Sequence, residues 1–346
     1  MAAIFTGGSA SVLYGYEGAT SFGTAASSIT SIFGMNQKVS SLTINTGQMP
    51  LNKLGQVEVS KFAYGQQTGS VNIGYVWDSG KSDQIFKALF GAPSVASGAD
   101  VYPASSTKPF TGTEGSGSIS VSPSSPLSLT TQIHQVIANG SNTLLNRTLK
   151  GCIVQSLALS TSIGETLNAT LDMAFAREDT ASVEASSGFV EQNASGNDVA
   201  TSPYTFAHGV LKTSTGGDSI AEIAEVQDVD ITFNTNSELL WGLGSHHAKT
   251  VFRKIFDVTG RFKSSSKDGD LIQALIDQSI VAGTEGMSTA DVSLELTFTD
   301  GAKSLKIELG GVSITDHSTS GIEPAEPIFE EVNLKAKSVR IVSDHT

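Results

Sequence analysis

The chain has 346 residues, 39% of them hydrophobic and 16% charged, with a formal net charge of −13. That length allows one large or two ordinary domains with real cores. The acidic balance argues against a general nucleic-acid binder, which needs clustered Lys and Arg, and a single cysteine, Cys152, excludes an intramolecular disulfide framework.

In chain order, residues 1–37 read as an N-terminal arm. The start "MAAIFTGGSAS" lacks the basic and apolar regions of a signal peptide. The stretch "VLYGYEGATSFGTAASS" (12–28) is small, glycine-containing and studded with Tyr14, Tyr16 and Phe22. These aromatics are expected to dock on a neighbouring domain or ring rather than to build the core. Leu42, Ile44 and Thr46 then alternate with Thr43 and Asn45, the pattern of a half-buried strand. A second alternating strand lies in "GSVNIGYVW" (69–77), followed by a short helix in "SDQIFKALFG". Ser82 or Asp83 is its expected N-cap and Gly91 its stop, with Ile85, Phe86, Leu89 and Phe90 forming an apolar face for a sheet. A long loop, 92–126, leads to "LSLTTQI" (127–133), "LKGCIV" (149–154) and "LNATLDMAF" (167–175). Cys152 sits in an apolar run and reads as a buried strand position.

A polar segment, 179–203, is the expected linker. Beyond it come a strand-like "YTFAHGVL" and then "DVDITFNTNSE", where Val229, Ile231 and Phe233 alternate with Asp228, Asp230 and Thr232. "KDGDLIQALID" predicts a second short helix, "VSLELTF" (292–298) another strand, and "VNLKAKSVRI" (332–341) the last.

The two halves follow one plan. "LTINTGQMPLNKLG" (42–55) matches "ITFNTNSELLWGLG" (231–244) at Thr43/Thr232, Asn45/Asn234, Thr46/Thr235, Leu51/Leu240, Leu54/Leu243 and Gly55/Gly244. The segments 69–91 and 256–277, 127–133 and 292–298, and 149–154 and 309–314 follow in the same order. The fold expected is mainly β: two tandem β-sandwich or open-barrel domains, 38–178 and 204–346, each with one short flanking α-helix.

Motifs for chemistry are missing. There is no GxSxG elbow, no HExxH and no P-loop lysine, and "SHH" (245–247) puts neighbouring histidines on opposite sides of an extended chain. No catalytic, cofactor or metal site is expected. No run of 18 apolar residues predicts a membrane helix.

The stretch "YEGATSFGTAAS", through Glu17, Thr20, Phe22, Gly23 and Thr24, resembles the leader of tail tube (major tail) proteins of tailed bacterial and archaeal viruses. "ELLWGLGS" with the strand and helix after it is similar to that family's second half. The resemblance implies a structural virion protein, not an enzyme, assembled in the host cytoplasm into rings that stack as a tube for genome passage. Its partners would be copies of itself, the tape measure, terminator and baseplate proteins, and DNA passing without specific binding. No membrane is involved. Two domains per chain favour a trimeric, pseudo-sixfold ring over a hexamer. A tube or baseplate component of a contractile injection system and a non-viral surface adhesin are the alternatives. Lumen candidates are polar strand faces: Asp228 and Asp230, Ser293 and Glu295, Glu58 and Ser60. Lys335 and Lys337 are expected on an outer or intersubunit surface, and the leader and the 92–126 loop between rings.

Overall fold

The computed structural model describes residues 5–18, 22–51, 61–96, 98–104, 127–137, 143–179, 182–185, 202–215, 221–222, 226–265, 292–320 and 328–344. The strands of the first half are β1 (Phe5–Tyr16), β2 (Ser31–Ile32), β3 (Met35–Asn45), β4 (Gln48–Leu51), β5 (Lys61–Tyr64) and β6 (Thr68–Val76). A 3-10 turn runs into helix α1 (Phe86–Phe90), then β7 (Ser94–Ala96), β8 (Ala99–Tyr102), β9 (Leu129–Ile137), β10 (Thr143–Ser162), β11 (Asn168–Phe175), β12 (Arg177–Glu178) and β13 (Ser182–Ala185). The second half holds β14 (Gly209–Thr215), β15 (Ala221–Glu222), β16 (Val226–Asn234), β17 (Glu238–Trp241), β18 (Ala248–Phe252), β19 (Asp257–Ser265), β20 (Val292–Asp300), β21 (Lys303–Ser320) and β22 (Phe329–Asp344). The fold is mainly antiparallel β, as the composition predicts. The second expected helix, within 267–277, lies outside the described residues, as do Glu58 and Ser60.

The repeat seen in the sequence is a repeat of topology. β3 pairs with β6, β6 with β11, β11 with β10 and β10 with β9. In the second half β16 pairs with β19, β19 with β22, β22 with β21 and β21 with β20. The irregularities match too. Gly151 and Gly311 both have positive φ, 64° and 58°, beside the points where β10 parts from β9 and β21 parts from β20. Gly47 and Asn236, at the exits of β3 and β16, share φ values of 57° and 47°. One detail differs from the sequence alignment. Both Leu129 and Val292 open nine-residue strands and face the residue after the bulge, Cys152 and Val312 respectively. These strands therefore correspond two residues away from the match of 127–133 with 292–298, an even shift that keeps every side chain on its face.

The two sets do not stand apart. The second half of β10 pairs with β11 on one edge and with β16 on the other, from Ser156↔Asn234 to Ser162↔Asp228. One sheet therefore runs β3–β6–β11–β10–β16–β19–β22–β21, and the strands close into a single barrel-like network from which only the hairpins β4–β5 and β17–β18 are separate. A continuous core joins both sets: Ile73, Leu171 and Leu157 from the first, Phe233, Val258 and Leu334 from the second.

Helix α1 sits across this junction. Its apolar face is buried as expected at Ile85, Phe86, Leu89 and Phe90, and Gly91 ends it with φ of 90°. Neither Ser82 nor Asp83 is the N-cap. Lys81 precedes the turn, and the Ser82 hydroxyl instead accepts the Asp78 N–H at 2.8 Å. Phe86 and Phe90 meet Phe233 edge-on at 6.2 and 6.3 Å, and Arg253 donates to the Leu89 and Ala88 carbonyls at 2.9 and 3.0 Å. Those carbonyls are the acceptors a helix end leaves open.

The leader needs a correction. Residues 5–16 are not an arm outside the core but a strand paired with β9 from Ala10↔Gln135 to Tyr16↔Leu129, in the sheet that β9 forms with the first half of β10. Tyr14 is fully buried and stacks on Phe33 at 4.4 Å. The leader's strand-like half satisfies the open edge of β9. The segments expected as loop and linker also carry strands: β8 pairs with the end of β22, and β13 pairs with the first half of β10.

Candidate functional site

Alternation along the shared sheet puts apolar residues inward and small polar ones outward. On β10 the outward residues are Ser156, Ala158, Ser160 and Ser162, with Leu157 and Leu159 in the core between them. Register carries this face across to Thr170 and Asp172 on β11, Asn72 and Ser70 on β6, and Ser41 and Thr43 on β3. In the other direction it reaches Asp228, Asp230, Thr232 and Asn234 on β16, Arg261 on β19, and Glu331, Asn333 and Lys335 on β22. The result is one polar face spanning both halves of the chain.

Asp228 and Asp230 are therefore neighbours on this face, as their spacing predicts. Arg261 Nη2 donates to Asp228 Oδ2 at 2.5 Å, and its other terminal nitrogen lies 3.5 Å from Glu331. Burial pushes the Asp230 carboxyl above the usual range, against the lowering effects of the Thr232 hydroxyl and Arg261. Lys335 shares the face, 3.4 Å from Asp257, and so is not segregated from the acidic pair. Asp172 accepts from Asn72 at 2.6 Å and Ser156 at 3.0 Å and ties three strands of the first half together. Its signal was the alternation Thr170, Asp172 in "LNATLDMAF". Acids on this face (Asp172, Asp228, Asp230, Asp257, Asp316, Glu331) outnumber the bases (Lys38, Arg261, Lys263, Lys335 and, by the same alternation along β22, Lys337) by one.

Glu295 lies elsewhere. It is 6% exposed on β20, with Lys212 at 3.8 Å and Lys306 at 3.6 Å, and its neighbour in register is Glu308 rather than any residue of β16. Ser293 on the same strand is also buried. Tyr16 is T-shaped against Tyr14 and its hydroxyl donates to the Gln84 carbonyl. Phe22 is half-buried and packs against the cluster of Ile153, Ala174, Ala176, Leu239 and Ala248, which joins the leader to the β17–β18 hairpin.

Two hairpins project apolar side chains into solvent. Met49, Leu51, Phe62 and Tyr64 on β4–β5 are each at least half exposed, as are Phe252 on β18 and Leu243 and Ile255 in the segments flanking it. Solitary exposed apolar residues are ordinary, but two clusters on paired strands point to contact surfaces. The inner side of β17–β18 already uses Leu239 and Ala248 to cover Ile153, Ala174 and Ala176 of the first half.

Among the described residues there is no cluster of metal-ligating side chains, and no helix is long and apolar enough to cross a membrane. The Cys152 thiol is fully buried and pushed up to about 12 by that burial, the state of an inert core cysteine rather than a nucleophile.

An extended polar sheet face, hairpins with outward apolar residues and a duplicated strand order define a structural assembly protein. The family description "Phage tail tube protein" matches residues 7–336, and the chain belongs to that family. It is thus a structural protein of the phage tail, whose family implies self-assembly into a tube together with other tail proteins. No curated protein matches the chain.

Proposed function

We propose that three copies of this chain close into a ring, that rings stack into the tail tube, and that the polar sheet face lines a hollow conduit for the genome. The observation that carries this reading is the strand order repeated twice within one chain and joined through β10 and β16. A ring of six such units needs only three chains, and cyclic symmetry closes it. The two units correspond to the tandem domains expected at 38–178 and 204–346, with β1 now part of the first.

The chemistry of the face suits a conduit. Serine, threonine and asparagine hydrate without offering cations to phosphates, and the net excess of acids repels the DNA backbone, so the genome slides. Asp228 and Asp230 are the residues assigned to this wall. Glu295, held between two lysines on β20, is left to the outer strands. The exposed hairpins β4–β5 and β17–β18 supply surfaces for contacts between rings, and the tube's ends meet the tape measure, terminator and baseplate proteins.

Negative-stain microscopy of the purified chain tests this. Hollow rings or tubes support it, and monomers at high concentration overturn it; the mass of a ring in solution separates three chains from six. Asp228→Lys with Asp230→Lys is expected to give assembled particles that eject DNA poorly. Normal ejection would remove both residues from the wall.

A further inference from the structure

The two halves part in chemistry at one matched set of core positions. β10 and β21 are equivalent in their second halves: each follows a positive-φ glycine, Gly151 or Gly311, and each skips one residue against its partner, at Gln155 and at Thr315. Register then matches Leu157 with His317 and Leu159 with Thr319. It also matches Ala169 on β11 with Glu330 on β22, and Tyr75 on β6 with Ser264 on β19. In the first half these positions are ordinary core, with Leu157, Leu159, Ala169 and Tyr75 each buried. In the second half they carry an imidazole, two hydroxyls and a carboxylate.

This polar set is buried and incompletely bonded. Ser264 and Glu330 are 1% and 2% exposed and directly opposed on neighbouring strands, and His317 Nε2 lies 3.8 Å from the Glu330 carboxylate. Ser264 Oγ, Glu330 Oε1 and His317 Nε2 are all buried without a hydrogen-bond partner. Unpaired polar atoms are costly in an interior, a carboxylate most of all. Among the described residues no lysine or arginine pairs with Glu330. Lys263 and Glu331, one position along each strand, alternate to the other side of the sheet. Phe262 and Val332, two positions along, close the floor with buried apolar groups. The way in is past the part-exposed His317 and the exposed Thr319.

We propose that this pocket binds a primary alkylammonium group, the end of a small amine or of a lysine side chain. Such a group carries three N–H donors, and three acceptors stand unfilled: Glu330 Oε1, Ser264 Oγ and the Nε2 of a neutral His317 with its proton on Nδ1. Its positive charge offsets the buried carboxylate, and its methylene stem leads out beside His317. A metal centre takes three or four protein ligands, whereas the imidazole and carboxylate here supply two. The first half cannot bind in this way, because Leu157, Ala169 and Tyr75 place no carboxylate, imidazole or serine there.

Melting curves of the full chain with 1,4-diaminobutane test this, independently of whether rings form. The diamine is expected to raise the melting temperature by about 2 °C or more, since a ligand of the native state stabilises it. Tetramethylammonium, a cation without N–H donors, is expected to leave it unchanged at equal ionic strength. Glu330→Gln keeps the shape, removes the charge and is expected to lose the shift while circular dichroism stays native. His317→Leu, which installs the first-half residue, is the second variant and is expected to lose most of it. Nα-acetyl-lysine amide separates the sources. A matching shift shows that one ammonium suffices, as on a lysine side chain, and a shift with the diamine alone assigns the pocket to free diamines. Equal shifts with tetramethylammonium, an undiminished shift in folded Glu330→Gln and His317→Leu, a response to Zn2+ alone, or no shift with either amine would each overturn the site.

Discussion

The backbone N–H of Gly151 donates to the carboxylate of Glu17 at 2.8 Å, across 134 residues of sequence. The same carboxylate accepts from Ser128 Oγ at 2.6 Å, Thr130 Oγ1 at 3.0 Å and the Gly23 N–H at 2.8 Å. Glu17 is 2% exposed, so this charge is held by four donors in place of water. It ties the leader to β9 and to the point where β10 bends. Glu17→Ala leaves those donors without an acceptor and is expected to cost about 3 kcal/mol or more. Glu17→Gln, which keeps one acceptor oxygen, is expected to cost less. Thermal unfolding followed by circular dichroism measures both.

Tyr14→Ala is expected to destabilise the chain by about 3–5 kcal/mol, as for other large aromatic deletions in a core. Removing residues 1–17 is expected to give insoluble or unfolded protein. A truncated chain that folds but no longer assembles would restore the arm reading for this segment. Solubility and circular dichroism distinguish the two.

Gly151 and Gly311 occupy equivalent left-handed positions, yet alanine should not cost the same at both. A Cβ at Gly151 would meet the Ala176 Cβ at 2.8 Å and the Phe22 ring at 3.0 Å, in a buried site. At Gly311 it would meet the Lys337 stem at 2.8 Å, which can swing away. Backbone strain of about 1–2 kcal/mol applies to each, and crowding adds about 1–3 kcal/mol at Gly151 alone. Denaturant midpoints of the two variants are expected to fall in that order.

Asp230 carries a pH dependence of definite sign. Its folded-state pKa is raised by burial, so the folded state holds the proton more tightly than the unfolded one, and the residue's contribution falls as pH rises through that window. Above it, ionised Asp230 opposes folding. The melting temperature of Asp230→Asn relative to wild type is therefore expected to rise from pH 3.5 upward and to level off once the carboxyl is ionised. A gap that shrinks as pH rises would contradict the assignment.

Cys152 should be silent in the native chain. With the thiol buried and raised to about 12, a thiol-reactive chromophore at neutral pH is expected to label none of it within minutes, and all of it in strong denaturant. Stoichiometric native labelling would show that the core opens around β10.

Several features were legible from local pattern alone. Alternation in "DVDITFN" placed Val229, Ile231 and Phe233 inward and Asp228 and Asp230 on one outer face, because a strand has a period of two. The apolar face of α1 followed from the spacing of Ile85, Phe86, Leu89 and Phe90, and its end from Gly91. The leader was misjudged because its small and polar residues look like a flexible tail until β9 is present to pair with it. Glu295 and Asp230 look alike in sequence, each an acid alternating with apolar neighbours. They part only because one lies on the outer strands between Lys212 and Lys306, and the other on the shared sheet.

What the sequence by itself determined is the strand content, the duplication and the sidedness of each strand, since these depend on residues within a few positions of one another. What only the tertiary structure decided is which edges meet. The β10–β16 junction, the burial of Glu17 against Gly151 and the stacking of Tyr14 on Phe33 join segments far apart in the chain. Hydrogen-bonding edges carry no side-chain code of their own, so their pairing is settled by which faces the core buries together.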